Sequence, residues 1–134
     1  MDDDSGTGVP FLAIDHVQLA MPVDGANMAR AFYVEVLGMI EVPKPTAIAA
    51  SGCWFESGDV RIHLGAESTE FKPAHKAHPA FVCSDFDALM AKLQDNGVKI
   101  RFDESLPQRR AFVDDAFGNR LELIEAADAE QPKA

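Results

Sequence analysis

The sequence is short of positive charge, of cysteine and of long apolar runs. Only 12 of its 134 residues are Lys or Arg, against 22 Asp or Glu, for a formal net charge of −10. Nucleic acids are held by basic stripes, so this balance argues against DNA or RNA as a partner. It also disfavours anionic membrane surfaces. A strongly anionic substrate would need local positive charge, and one loop offers it, Gln108–Arg109–Arg110. The plain expectation for that loop is solvation; anion binding is the functional alternative. Two cysteines, Cys53 and Cys83, are too few for a disulfide framework. No run of about 18 apolar residues is present to span a bilayer. Met1–Asp2–Asp3–Asp4–Ser5–Gly6 is acidic and has no apolar core of a signal peptide. The expectation is a cytoplasmic protein with reduced thiols, its Asp2, Asp3 and Asp4 a solvated tail and not a metal site.

What is present fits one domain. A chain of this length buries roughly 68% of its unfolded surface, enough to fold without a staple. Residues 1–9 and 127–134 read as tails, and 10–126 as the domain. Phe11 to Met21 reads as a half-buried strand, with Val17, Leu19 and Met21 on one face and His16, Gln18 and Ala20 on the other. Ala29, Phe32, Tyr33, Val36 and Leu37 follow the spacing of an amphipathic helix, which Gly38 would close. Ile40 to Ala50 contains Pro43 and Pro45, which restrict it to an edge strand or a loop. Cys53–Glu56 and Val60–Gly65 read as a hairpin turning at Ser57–Gly58–Asp59. After a connector over 66–77 the order recurs. His78–Cys83 is an expected strand, Ser84 an expected N-cap, and Phe86, Leu89, Met90 and Leu93 a helical face. Val98–Phe102, Ala111–Asp114 and Arg120–Glu125 are expected strands.

The recurrence is quantitative. His16 and His78 are 62 positions apart, and Phe32 and Leu89 are 57 apart. Gly38 to Gly97 and His63 to Glu122 both span 59. A period of about 60 is too long for most solenoids. Two copies of a strand–helix–strand–strand–strand unit fit it, one over about 10–66 and one over about 77–126. Within each strand one parity is apolar: Val17 and Leu19, Ile62 and Leu64, Phe81 and Cys83, Leu121 and Leu123. The opposite parity carries His16, His63, His78 and Glu122, which would therefore share the face turned from the helices. Gln18, Arg61, Ala80 and Arg120 share that parity and would neighbour them. A lone strand histidine is more often a hydrogen-bonded structural group than a ligand. Three imidazoles and a carboxylate at matching positions are the raw material of a metal site. His75, in the connector, reads as solvated. Trp54, Phe55, Phe71 and Phe112 read as core or contact residues, of which Trp54 and Phe112 are the candidates to line a pocket.

The chain resembles the vicinal oxygen chelate superfamily, the group of glyoxalase I, methylmalonyl-CoA epimerase, extradiol dioxygenases, fosfomycin-resistance thiol transferases and bleomycin-binding proteins. Phe32–Tyr33 followed by Leu37–Gly38 is similar to the usual end of that family's first helix. Asp115–Ala116–Phe117–Gly118–Asn119–Arg120–Leu121–Glu122 is similar to its Asp-Pro-x-Gly-Asn-x-x-Glu turn, with Ala116 in place of proline. The resemblance implies an α+β fold of two βαβββ modules, each a cupped mixed sheet with its helix on the outer face, assembled as a homodimer. It implies one divalent metal ion (Zn, Ni, Mn or Fe) held by His16, His78, Glu122 and, at the fourth position, His63. His63 departs from the glyoxalase I pattern, which has a carboxylate there. As a base, a fourth ligand or an outer donor, His63 keeps three roles open.

Two functions emerge as expectations. One is a metal-dependent lyase or isomerase that chelates vicinal oxygens of a small substrate, with His63 and Glu122 as the catalytic candidates. Gln18, Trp54, Arg61, Phe112 and Arg120 would line its pocket. The other is a metal-free binding protein of the bleomycin-resistance kind. Dioxygenase and thiol-transfer chemistry rank lower.

Overall fold

The computed structural model describes residues 8–45, 52–68 and 70–127. Most of the two expected tails, and residues 46–51 just past Pro43 and Pro45, lie outside the described residues. The described chain forms two four-stranded mixed sheets with the same connectivity. In the first, β1 (Val17–Pro22) pairs parallel with β4 (Val60–Glu67). β4 pairs antiparallel with β3 (Cys53–Ser57), and β3 with β2 (Ile40–Val42). In the second, β5 (Ala80–Cys83), β8 (Arg120–Glu125), β7 (Arg110–Asp114) and β6 (Arg101–Asp103) repeat that order. The parallel pair in each sheet requires a crossover, and each crossover contains a helix. This is the expected two-module α+β fold.

The inward parity of the strands makes the core. Phe55, Ile62, Leu64, Val113 and Leu121 are all buried, in one cluster that spans both modules. Each such side chain contributes roughly 1.5–3 kcal/mol on burial. Several boundaries differ from expectation. The first strand begins at Val17, not Phe11, and Phe11, Leu12 and Ile14 are 85%, 80% and 82% exposed. A run that contacts no second strand does not become one, however apolar it is. β5 likewise begins at Ala80 and not His78, and β6 at Arg101 and not Val98.

The first helix is also not the continuous α-helix expected. α1 (Ala26–Arg30) passes into a π-helical stretch over Ala31–Val36, where the Leu37 N–H donates to Phe32 O at 2.9 Å. Adjacent Phe32 and Tyr33 both lie buried there, and Tyr33 stacks on Phe55 at 5.3 Å. Gly38, at φ +79°, closes the turn in the left-handed region as expected. In the second module α2 (Phe86–Asp95) is capped by Asp85 rather than Ser84. The Asp85 carboxylate accepts from the Ala88 N–H at 3.0 Å, and a negative charge suits a helix N-terminus.

The turn after β7 ties the modules together. Asp115 Oδ1 accepts the N–H groups of Phe117 and Asn119, both at 2.9 Å. Its Oδ2 accepts the Tyr33 hydroxyl at 2.6 Å and Asn119 Nδ2 at 2.9 Å. Asn119 Nδ2 also donates to Ala20 O of β1 at 2.8 Å. The turn leads directly into β8, the strand that carries Glu122.

Candidate metal and ligand site

Register places the candidate residues at equivalent positions of the two modules. His63 on β4 faces Gln18 on β1 and Trp54 on β3. Glu122 on β8 faces Ala80 on β5 and Phe112 on β7. His63 thus corresponds to Glu122, Gln18 to Ala80, and Trp54 to Phe112. His16 and His78 stand two residues before Gln18 and Ala80. Both therefore enter from just outside the strand, not from within it.

In the first module three rings stack. His63 lies against Trp54 with centroids 4.0 Å apart and planes 4° apart. His16 covers its other face at 3.9 Å and 16°. His63 is 7% exposed. Burial, and then the charge of His16, push its pKa below the ordinary histidine value. His16 is exposed, and its Nδ1 lies 3.0 Å from Asp15 Oδ2. That hydrogen bond first, with Arg61 adding to it, holds the Asp15 carboxyl below its usual range. Arg61 engages Asp15 at 3.5 Å and Glu56 at 3.6 Å, so it flanks His16.

The second module is built from charge. His78 Nδ1 is 2.6 Å from the backbone carbonyl of Lys76, and His78 Nε2 is 2.9 Å from Glu122 Oε1. A carbonyl oxygen only accepts, so Nδ1 must carry a proton. In a neutral imidazole Nε2 then presents a lone pair to a carboxylate oxygen. Two acceptors across that gap need a proton or a metal ion between them. The Phe112 ring meets His78 edge-on at 5.4 Å, and the Arg120 guanidinium lies 5.8 Å over Phe112. The second oxygen of Glu122, Oε2, accepts from Arg110 Nη1.

A cleft of about 490 Å³ runs between β1 and the start of β5, and Gln18, Phe71, Lys72, His78 and Arg120 line it. The Gln18 amide lies over Gly65, where any Cβ would come within 2.6 Å of it.

The nine sequence candidates therefore fall into two groups. His16, His63, Trp54 and Arg61 gather in the first module; His78, Glu122, Phe112 and Arg120 gather in the second, with Gln18 across the cleft. Among the described residues no group of three His, Cys, Asp or Glu is arranged to hold a metal ion. Sequence reasoning missed Arg110, which it assigned to a solvated loop. Arg110 is the first residue of β7 and only 18% exposed at its side chain. Its parity with Phe112 was the available signal. Its neighbour Arg109 ties α2 to β8 instead, through Asp87 at 2.8 Å and Glu125 at 2.8 Å, over the Phe86 ring at 4.9 Å. The Lys76 carbonyl had no signal at all.

The donor chemistry fits a divalent ion. Imidazole and carboxylate suit Zn, Ni, Mn and Fe. Neighbouring donors about 2.1 Å from one ion lie about 3.0 Å apart in octahedral and about 3.4 Å apart in tetrahedral geometry, so the 2.9 Å between His78 and Glu122, an ordinary hydrogen-bond length, needs little opening to admit an ion. A ligating histidine characteristically donates its other ring N–H to a carbonyl or carboxylate, as His78 does to Lys76.

Comparison with known proteins settles the family. Residues 13–123 match the Glyoxalase/Bleomycin resistance protein/Dioxygenase superfamily. The chain belongs to this superfamily. A glyoxalase family protein from Bacillus anthracis is 43% identical, with a TM-score of 0.82 over 87% of this chain and 97% of that one. The antibiotic binding protein TnmS3 from Streptomyces sp. CB03234 is 24% identical, with a TM-score of 0.66 over 87% and 100% of the two chains. The fosfomycin resistance protein FosX from Listeria monocytogenes is 16% identical, with a TM-score of 0.69 over 91% and 99%. The last two likenesses show the shared fold alone. No curated protein matches the chain.

Proposed function

We propose that this superfamily member is a metal-dependent lyase or isomerase of the glyoxalase kind, acting on a small substrate with adjacent oxygens. The observation that carries the reading is His78. Its Nδ1 is committed to the Lys76 carbonyl while its Nε2 faces Glu122 Oε1 at 2.9 Å. That pair is one half of a four-residue set, with His16 and His63 at the equivalent positions of the other module. Because one chain holds the halves apart, a homodimer that brings His16 and His63 of one copy to His78 and Glu122 of the other completes the set. A bound divalent ion would act as a Lewis acid on a substrate oxygen. His63, whose pKa burial lowers, serves either as the fourth ligand of that set or, when not ligated, as the proton-transfer group, since the one nitrogen bearing its lone pair cannot do both at once. Stacking between Trp54 and His16 fixes the plane in which that nitrogen points. Trp54, Phe112, Gln18, Arg61 and Arg120 form the surrounding walls.

A second reading has its own observation. Arg110 and His78 between them occupy both oxygens of Glu122. A guanidinium and an imidazolium can supply the positive charge in place of a metal, as a metal-free binding protein requires.

Metal analysis separates the two. Wild-type protein purified without chelator or affinity tag should contain a divalent metal, and His16→Ala/Glu122→Ala protein should not. A metal-free wild type with no thermal shift on adding Ni, Zn, Mn or Fe(II) would overturn the enzyme reading. Light scattering tests the assembly, since a stable monomer contradicts a shared site.

A further inference from the structure

The two modules differ most sharply in what stands behind His63 and Glu122. Trp54 opposite His63 corresponds to Phe112 opposite Glu122. Two residues before each of these, Gly52 therefore corresponds to Arg110. Gly52 sits at φ +106°, and a Cβ there would come 2.6 Å from the Leu64 carbonyl oxygen. No side chain fits at that position in the first module. In the second module the same position carries an arginine. In the first module the Lys44 ammonium, from the segment that follows β2, stands 3.3 Å from where that Cβ would be; in the second the position's own side chain is the cation, and it reaches the anionic candidate ligand.

Arg110 is committed to that task. Its Nη1 donates to Glu122 Oε2, leaving Oε1 as the oxygen that faces His78 at 2.9 Å. Its cross-strand neighbour on β6 is Asp103. That carboxylate uses Oδ1 on Ser105, at 2.9 Å to the N–H and 2.6 Å to the hydroxyl. Arg110 Nε is buried and makes no hydrogen bond within the protein. Burial of an unmatched donor costs stability, so this arginine is not placed for stability alone.

We propose that Arg110 is a positioning residue, which holds Glu122 by Oε2 so that Oε1 alone, beside His78 Nε2, is offered to a divalent cation. The proposal rests on the metal-dependent reading above. Partners of this kind, standing one step behind a ligand, fix its orientation, and their loss typically weakens metal binding 10–100-fold. An arginine fork is directional where a lysine is a point charge, so lysine should replace it only in part.

The test is calorimetric titration of Ni(II) and Mn(II) into the full-length chain, for wild type, Arg110→Gln and Arg110→Lys. Arg110→Gln should bind about 10–100-fold more weakly and Arg110→Lys should fall between the two. In a Glu122→Gln background, removing Arg110 should change affinity no further. A purely structural arginine would lower the melting temperature of Arg110→Gln without altering affinity per folded molecule, and that result overturns the proposal. If Arg110→Gln does not fold, Arg110→Lys decides: affinity equal to or tighter than wild type overturns it. Wild type that binds metal alongside variants that bind equally well refutes Arg110's role and leaves the metal reading intact. Wild type that binds no metal refutes both.

Discussion

Tyr33→Phe removes one hydroxyl and nothing else from the turn that joins the modules. Tyr33 is fully buried, so its ring stays packed on Phe55 in the variant. Asp115 loses the 2.6 Å donor at Oδ2 and keeps three others, from Phe117, Asn119 N and Asn119 Nδ2. A hydrogen bond to a charged group contributes about 1.5–3 kcal/mol. For a domain between the small and large size classes, that is a fall in Tm of roughly 5–12 °C. The same contact gives the protein an alkaline weakness. Burial first, then the Asp115 charge, push the Tyr33 pKa well above its ordinary value of 10.0. Above pH 10 the unfolded chain has lost the phenolic proton and the folded chain keeps it. The unfolded state then binds fewer protons, so stability falls with rising pH by about 1.4 kcal/mol per unit from this group. Below pH 10 the two states bind it equally and the contribution is constant. Urea denaturation at pH 8 and at steps from 9.5 to 11.5, followed by Trp54 emission, measures both effects. Tyr33→Phe should be less stable at pH 8, and the gap to wild type should narrow above pH 10. A loss below about 0.5 kcal/mol at pH 8, or a gap that stays constant with pH, would refute the account of the clamp.

Two further outcomes can be checked with the same reagents. Trp54 is the only tryptophan and it stacks on His63, so its emission reports that imidazole. Lowering the pH should quench it with a midpoint below 6.5, and wild type should lose stability as pH falls from 6.5 through that midpoint, because the unfolded chain takes up the proton first. His63→Gln should abolish both effects, and a wild-type midpoint at or above 6.5 would contradict the burial argument. Gly52→Ala should cost about 1–3 kcal/mol, because it forces a side chain into a left-handed backbone with its Cβ 2.6 Å from the Leu64 oxygen. Chemical denaturation measures it, and a neutral substitution would show that this corner relaxes freely.

The repeat was legible because it rests on spacing. The apolar parity of Ile62 and Leu64, and of Leu121 and Leu123, reported the buried face directly, and so placed His63 and Glu122 opposite it. Strand ends were less legible. Phe11–Ile14 is as apolar as any strand, but pairing decides strand formation, and apolar composition carries no information about pairing. The helix face was legible and its π-helical turn was not, because Phe32 and Tyr33 satisfy an α-helical spacing equally well. At the site, residue types were legible and partnerships were not. Nothing local distinguishes Arg109, which braces α2, from Arg110, which holds Glu122. The difference lies in the parity of β7 and in carboxylates 12 and 22 positions away along the chain. The solvation expected of the Gln108–Arg109–Arg110 loop fails at Arg110, which is held in the sheet by Glu122, while Arg109 stays half exposed between Asp87 and Glu125.

The stacked rings of the first module have a consequence for how the site responds to its solution. A ring covered on both faces cannot swing about its side-chain bond, although it can exchange a proton or a ligand at its edge. The His16–His63–Trp54 half is therefore held by flat apolar contact, and the His78–Glu122–Arg110 half by opposed charges. The charges of the second half are largely buried, so added electrolyte screens them little and acts instead on the exposed Asp15–His16 and Asp15–Arg61 pairs beside the rings. Urea and similar cosolvents weaken the ring stack by solvating apolar surface. Salt and cosolvent therefore both reach the first half more readily than the second.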